Sequence, residues 1–147
     1  MLFRSSKTSI PLAHAILTSI GVPVYALFDA DGGFEERAKA KNKKSEDIEK
    51  ERSNHAAENR KLLRYFGLPE IDFPPASVSD VVAIFENHLE SFLSSEWPEW
   101  VMACQDIEIA AGISLAKNQL AYRTATLKAG GTVPEMLTQV ISKAKGQ

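Results

Sequence analysis

The feature that most constrains this chain is Val22-Pro23-Val24-Tyr25-Ala26-Leu27-Phe28-Asp29-Ala30-Asp31-Gly32-Gly33, an apolar run closed by two carboxylates and two glycines. Its β-branched and aromatic residues predict a buried strand over 22–29, and the glycines predict the tight turn after it. Asp29 and Asp31 lie two apart, so on an extended strand end both project to one side. Carboxylates held that close repel unless a proton or a cation lies between them, which points to a divalent metal site. The plainer reading of the same residues is a helix cap at Asp29 and a turn residue at Asp31.

Around this run the chain alternates helical and extended patterns. Ser9 or Thr8 caps a first helix that carries Pro11 in its first turn, shows Leu12, Ile16 and Ile20 at four-residue spacing, and ends at Gly21. From Phe34 to Phe66 the propensity is helical. The segment 36–54 is a charged excursion, a solvated helix or a flexible stretch, with a basic DNA-facing surface the less favoured reading because acids interleave with the lysines. After Phe73-Pro74-Pro75, Asp80 to Phe85 reads as a second buried strand ending at Glu86. A helix beginning at Asn87 puts Glu90 one turn beyond Glu86 on the same face. Helices over 96–110, 115–128 and 133–145 complete the chain, with Gly130-Gly131 between the last two. This alternation predicts an α/β fold with a small, mainly parallel sheet, flanking helices and a helical C-terminal part. Functional residues of such sheets gather at the carboxyl ends of the strands, where Asp29, Asp31 and Glu86 fall. Only Leu2-Phe3 stands where an α/β unit places a strand before its first helix, so the chain reads as a piece of a longer protein.

With 147 residues the chain fits one domain, 1–147, able to bury a core without disulfides. The single Cys104 excludes a disulfide framework and fits a reducing cytoplasm, and no apolar segment approaches the roughly 20 residues that span a bilayer. A net charge of −2 argues against a whole-surface nucleic-acid binder, but not against an enzyme that meets phosphates through metal ions and a few cations.

Asp29, Asp31, Glu86 and Glu90 offer hard oxygen ligands suited to Mg²⁺ or Mn²⁺. His14, His55 and His88 are scattered and Cys104 is alone, which is no zinc set. Two such metals can activate water and clamp a phosphodiester in line, and Lys117 is the best candidate for a cation that offsets transition-state charge. The alternative for Lys117 is an ordinary solvated helix charge. Trp97 and Trp100 are either a base-stacking patch or packing residues, with packing favoured because nothing basic surrounds them.

Ile20 to Asp31 resembles the DxD strand of a Toprim domain. His55-Ala56-Ala57-Glu58-Asn59-Arg60-Lys61-Leu62-Leu63, Ala83-Ile84-Phe85-Glu86-Asn87-His88-Leu89-Glu90 and Lys117-Asn118-Gln119-Leu120-Ala121 are similar to the C-terminal nuclease of the overcoming-lysogenisation-defect (OLD) family of ATP-dependent endonucleases. The resemblance covers most of the chain from Thr8 onward, with the DxD element its sharpest part. It implies a Toprim-like fold and metal-dependent nicking or cleavage of DNA. Asp29 and Asp31 match the DxD ligands, Glu90 the following acidic residue with Glu86 as the alternative, and Lys117 the late lysine near the scissile phosphate. It further implies an ABC-type ATPase domain as partner, through which alone ATP enters, and a possible homodimer. The family's first-strand glutamate has no counterpart here, which would weaken metal affinity and cleavage.

Two other readings remain open. Leu27-Phe28-Asp29-Ala30-Asp31-Gly32 also resembles the first motif of haloacid-dehalogenase phosphatases, with Asp29 as nucleophile and Asp31 as acid/base. Gly33 stands where that family expects Thr or Ser, and Asp106 has no paired aspartate. The third reading is a truncated Toprim-like interaction module without turnover.

Overall fold

The computed structural model describes residues 7–112, 114 and 119–146. A 3-10 turn at Lys7–Ser9 leads into α1 (Ile10–Ser19), then β1 (Ala26–Asp29), α2 (Phe34–Ala40) and α3 (Ser45–Tyr65). The short β2 (Ser77–Val78) precedes β3 (Val82–Phe85), and α4 (Leu89–Glu96), α5 (Pro98–Ala111), α6 (Gln119–Lys128) and α7 (Glu135–Ala144) follow. The chain is α/β as expected, but the sheet is mixed. Among the described residues it has the order β1-β3-β2, with β1 parallel to β3 and β2 antiparallel to it.

The register of β1 against β3 explains the layering. Ala26 faces Val82 and Phe28 faces Ile84 on one side, while Leu27 pairs with Ala83 on the other. The first side packs with Ile10, Ala30, Leu62 and Leu63, so α1 and α3 cover it. On the opposite side Tyr25 and Ala83 meet Val140 of α7, with Leu27, Val78 and Ala144 beside them. Alternation along each strand thus buries both faces, as a strand of continuous apolar character requires. Neither strand spans its full expected run: β1 starts at Ala26 rather than Val22, and β3 at Val82 rather than Asp80.

Helix ends follow local chemistry closely. Gly67, at a φ of +70°, closes α3 with its N–H on the Arg64 carbonyl and the Leu68 N–H on the Leu63 carbonyl. Asn42, at +55°, closes α2 with the same two bonds to Lys39 and Ala38. The excursion 36–54 is therefore helical on both sides of a tight turn, and its charged half faces water. The Leu12, Ile16 and Ile20 stripe that announces α1 lies on the exposed side of the helix, and Ile10 alone among the α1 residues is buried. Trp97 and Trp100 are both buried, as packing residues. Leu2-Phe3 lies outside the described residues. No helix among the described residues is long and apolar enough to cross a membrane.

Candidate functional site

The chain leaves β1 at Asp29 and stays pressed against the end of β3. Ala30 N–H donates to the Phe85 carbonyl at 2.7 Å, Gly32 N–H to Glu86 at 2.8 Å, and Asp31 N–H to Asn87 at 3.0 Å. A Cβ on Gly32 would stand 2.9 Å from the Glu86 carbonyl oxygen, so only glycine permits this approach. Asp31 occupies the left-handed region at a φ of +58°, a conformation that a non-glycine residue adopts at a cost of about 1 kcal/mol.

That conformation places the Asp31 carboxylate among basic side chains. Lys7 Nζ lies 2.6 Å from Oδ2, His55 Nδ1 lies 3.4 Å from the same oxygen, and Arg37 Nη2 lies 3.6 Å from Oδ1. Lys7 is also held by Asn59 Oδ1 at 3.0 Å. Asn59 has no exposed surface, and its Nδ2 donates to the carbonyls of Ala30 at 2.8 Å and Asp72 at 2.7 Å. One buried amide therefore fixes the β1 turn, the loop after α3 and the ammonium that meets Asp31. Arg37 reaches across to hydrogen-bond Asn87 Oδ1 as well, tying the turn after β1 to the turn after β3.

Asp29 does something different. Its Oδ1 accepts the Leu89 N–H at 3.1 Å, so it caps α4 across the sheet edge rather than the helix that follows it in sequence. His88 supplies the rest of that cap: its Nδ1 accepts the Ser91 N–H at 3.0 Å. Glu90 Oε2 approaches the same Nδ1 at 3.5 Å.

The four carboxylates expected as ligands do not all meet. Because α4 begins only at Leu89, Glu86 and Glu90 share no helical face. Glu86 lines an open cleft of about 640 Å³ with Gly32, Glu36, His88, Ser91 and Glu96. Glu90 lines another, with Ser94, Trp100, Cys104 and Tyr122. Lys117 lies outside the described residues. Among the described residues no group of three or more His, Cys, Asp or Glu side chains is arranged to hold a metal.

Lys7, Arg37, Asn59 and Asn87 were not read from the sequence as site residues. Asn59 carried a signal: it falls between Ala56 and Leu62-Leu63 at helical spacing, a polar residue on a core-facing stripe, where asparagine gains nothing from helix propensity. Lys7 carried none, since 24 residues separate it from Asp31. Comparison with family models, curated proteins and solved structures returned no match.

Proposed function

We propose that this chain is a Toprim-like, OLD-type DNA endonuclease module that cuts a phosphodiester with Mg²⁺ or Mn²⁺ at the Asp29–Asp31 turn. The observation that carries this reading is Asp31 itself. A carboxylate at the carboxyl edge of a parallel strand pair is held in a strained backbone conformation and faces Lys7, Arg37 and His55. Strain and converging charge at a strand end favour a site over a scaffold element.

The donor set suits the ion in kind. Mg²⁺ takes oxygen ligands, keeps several waters and is commonly held by one or two carboxylates plus substrate phosphates, so a ready-made three-residue cage is not needed. Asp29 and Asp31 would hold it, with Glu86 at the neighbouring cleft and Glu90 farther round α4. When bound, the metal supplies Lewis acidity toward the phosphoryl group and an acidified water.

The remaining work falls to side chains of this chain. Lys7 neutralises Asp31 while the site is empty of phosphate, and the entry of a phosphodiester gives its ammonium a second anionic partner. Asn59 keeps that ammonium at the turn throughout. Arg37, braced on Asn87, orients a planar cation beside the same carboxylate. Lys117 remains the proposed cation at the scissile phosphate, and an ABC-type ATPase domain the proposed partner.

Nicking of supercoiled plasmid with Mg²⁺ or Mn²⁺ tests the reading. Nicking is expected, with Asp29→Ala and Asp31→Ala each abolishing it, and Lys117→Ala lowering it by roughly 100-fold, the scale of one lost electrostatic stabiliser. Phosphomonoester hydrolysis without nicking would instead support the phosphatase mechanism with Asp29 as nucleophile. Silence in both assays would leave an interaction module.

A further inference from the structure

Between α2 and α3 runs a groove of about 260 Å³ lined by Phe34, Arg37, Lys41, Lys43, Glu51 and His55. Three fixed positive charges there face one carboxylate, on a chain whose net charge is −2. The tight end of α2 creates this concentration, because the left-handed Asn42 folds the chain back between Lys41 and Lys43. The lone carboxylate registers the field: the Lys43 hydrogen bond holds Glu51 below the usual glutamate range, and the charges of Lys43, His55 and Lys41 push the same way. Elsewhere on these helices Lys39 and Arg52 both pair with Glu35. Lys41 makes no salt bridge among the described residues.

The groove adjoins the Asp31 turn, with which it shares Arg37 and His55. At that seam His55 Nδ1 is shielded from water and makes no hydrogen bond, although Asp31 Oδ2 lies 3.4 Å away, and its ring is packed 5.1 Å from Phe34. A buried polar atom without a partner is uncommon and marks a place where a ligand oxygen can complete the structure. The lysine pair adds to this, since Glu51 is the one acid lining the groove and is hydrogen-bonded by Lys43.

We propose that this groove is a phosphate subsite that holds the nucleic-acid backbone next to the phosphodiester at Asp29–Asp31. The proposal rests on the nucleic-acid reading above. Arg37, Lys41 and Lys43 meet the phosphate oxygens and His55 closes the inner end, so the groove sets the register of the strand and reads no base. Contacts of this kind position a strand without specifying sequence.

The test separates this subsite from the chemistry. Binding of a fluorescein-labelled 20-nucleotide duplex is followed by anisotropy in EDTA across a KCl series, for the intact chain, for Lys41→Gln/Lys43→Gln, and for Lys50→Gln/Lys61→Gln, which removes the same charge from exposed positions outside the groove. The groove variant is expected to bind about tenfold or more weakly at 100 mM KCl and to lower the slope of log K against log salt by about 2, while the matched variant changes binding by less than about threefold. Equal weakening by both pairs, an unchanged slope in the groove variant, or no duplex binding by the intact chain overturns the subsite. Plasmid nicking with Mg²⁺ or Mn²⁺ is then scored separately. Groove-dependent binding without nicking sinks the nuclease reading and leaves the subsite standing, whereas nicking with groove-independent binding does the reverse.

Discussion

The edge where β1 and β3 end and the α5–α6 hairpin are built on opposite principles. At the sheet edge, loops are tied by polar groups with several partners each: Asn59 serves two carbonyls and Lys7, and Arg37 joins Asp31 to Asn87. In the hairpin, aromatic mass does the holding. Trp100 stacks obliquely on Tyr122 at 5.7 Å, and each tryptophan spends its one N–H on a single acceptor, Gly130 for Trp97 and Thr126 for Trp100. Apolar packing tolerates small shifts, whereas a multiply bonded polar group defines positions to a few tenths of an ångström. The contrast separates the part of the molecule that positions charges from the part that buttresses it.

The largest effect should come from the buttress. Trp97→Ala removes a buried indole and orphans the Gly130 carbonyl, and is expected to cost about 3–5 kcal/mol in urea unfolding. Duplex binding by the fraction that remains folded should stay near that of the intact chain. Weakened binding in proportion to lost stability would erase the distinction between the two regions.

Asn59→Ala should cost somewhat less, about 2–4 kcal/mol, through two orphaned carbonyls and a small cavity. It should nonetheless be the more damaging change for the site, because Lys7 loses its brace. Plasmid nicking that survives Asn59→Ala at temperatures where the variant is folded would count against the role given to Lys7. Gly32→Ala brings a methyl to 2.9 Å from the Glu86 carbonyl and should cost about 1–3 kcal/mol, read as a fall in thermal midpoint. Tyr25→Phe removes the 2.8 Å hydrogen bond to the Ser79 carbonyl on the far face of the sheet, for about 1 kcal/mol and no effect on binding.

The smallest effect is a pH dependence at the surface. The Lys143 hydrogen bond, reinforced by its charge, holds Asp80 below the usual aspartate range and joins α7 to the start of β3. A carboxylate depressed in the folded state contributes stability above its unfolded pKa and loses that contribution as pH falls through the folded value. Acidification below the ordinary aspartate range should therefore slightly destabilise the intact chain, and Asp80→Asn should flatten that slope in a series of thermal melts. High salt should reduce the difference, since both side chains are exposed to solvent.

Much of the scaffold was legible because it is decided locally. The apolar run before Asp29 fixed a strand, Gly21 and Gly67 ended helices where a left-handed residue was needed, and the strand-end position of Asp29 and Asp31 followed from both. What failed to read locally also has reasons. Glu86 and Glu90 were placed on one helical face by spacing, but Asp29 and His88 cap the helix at Leu89 and leave Glu86 outside it. The two-residue β2 was too short to leave a periodic signal. The α1 stripe had helical spacing whether it faced the core or not.

By itself, then, the sequence determined the α/β alternation, the two acid-ended strands and the turn that bears Asp29 and Asp31, since each depends on neighbours a few residues away. The tertiary structure alone decided which charges surround that turn. Lys7, Asn59 and Leu89 reach it across 24, 29 and 60 residues of separation. Contacts of that span depend on how α3 and α4 dock on the sheet, and docking leaves no period in the chain.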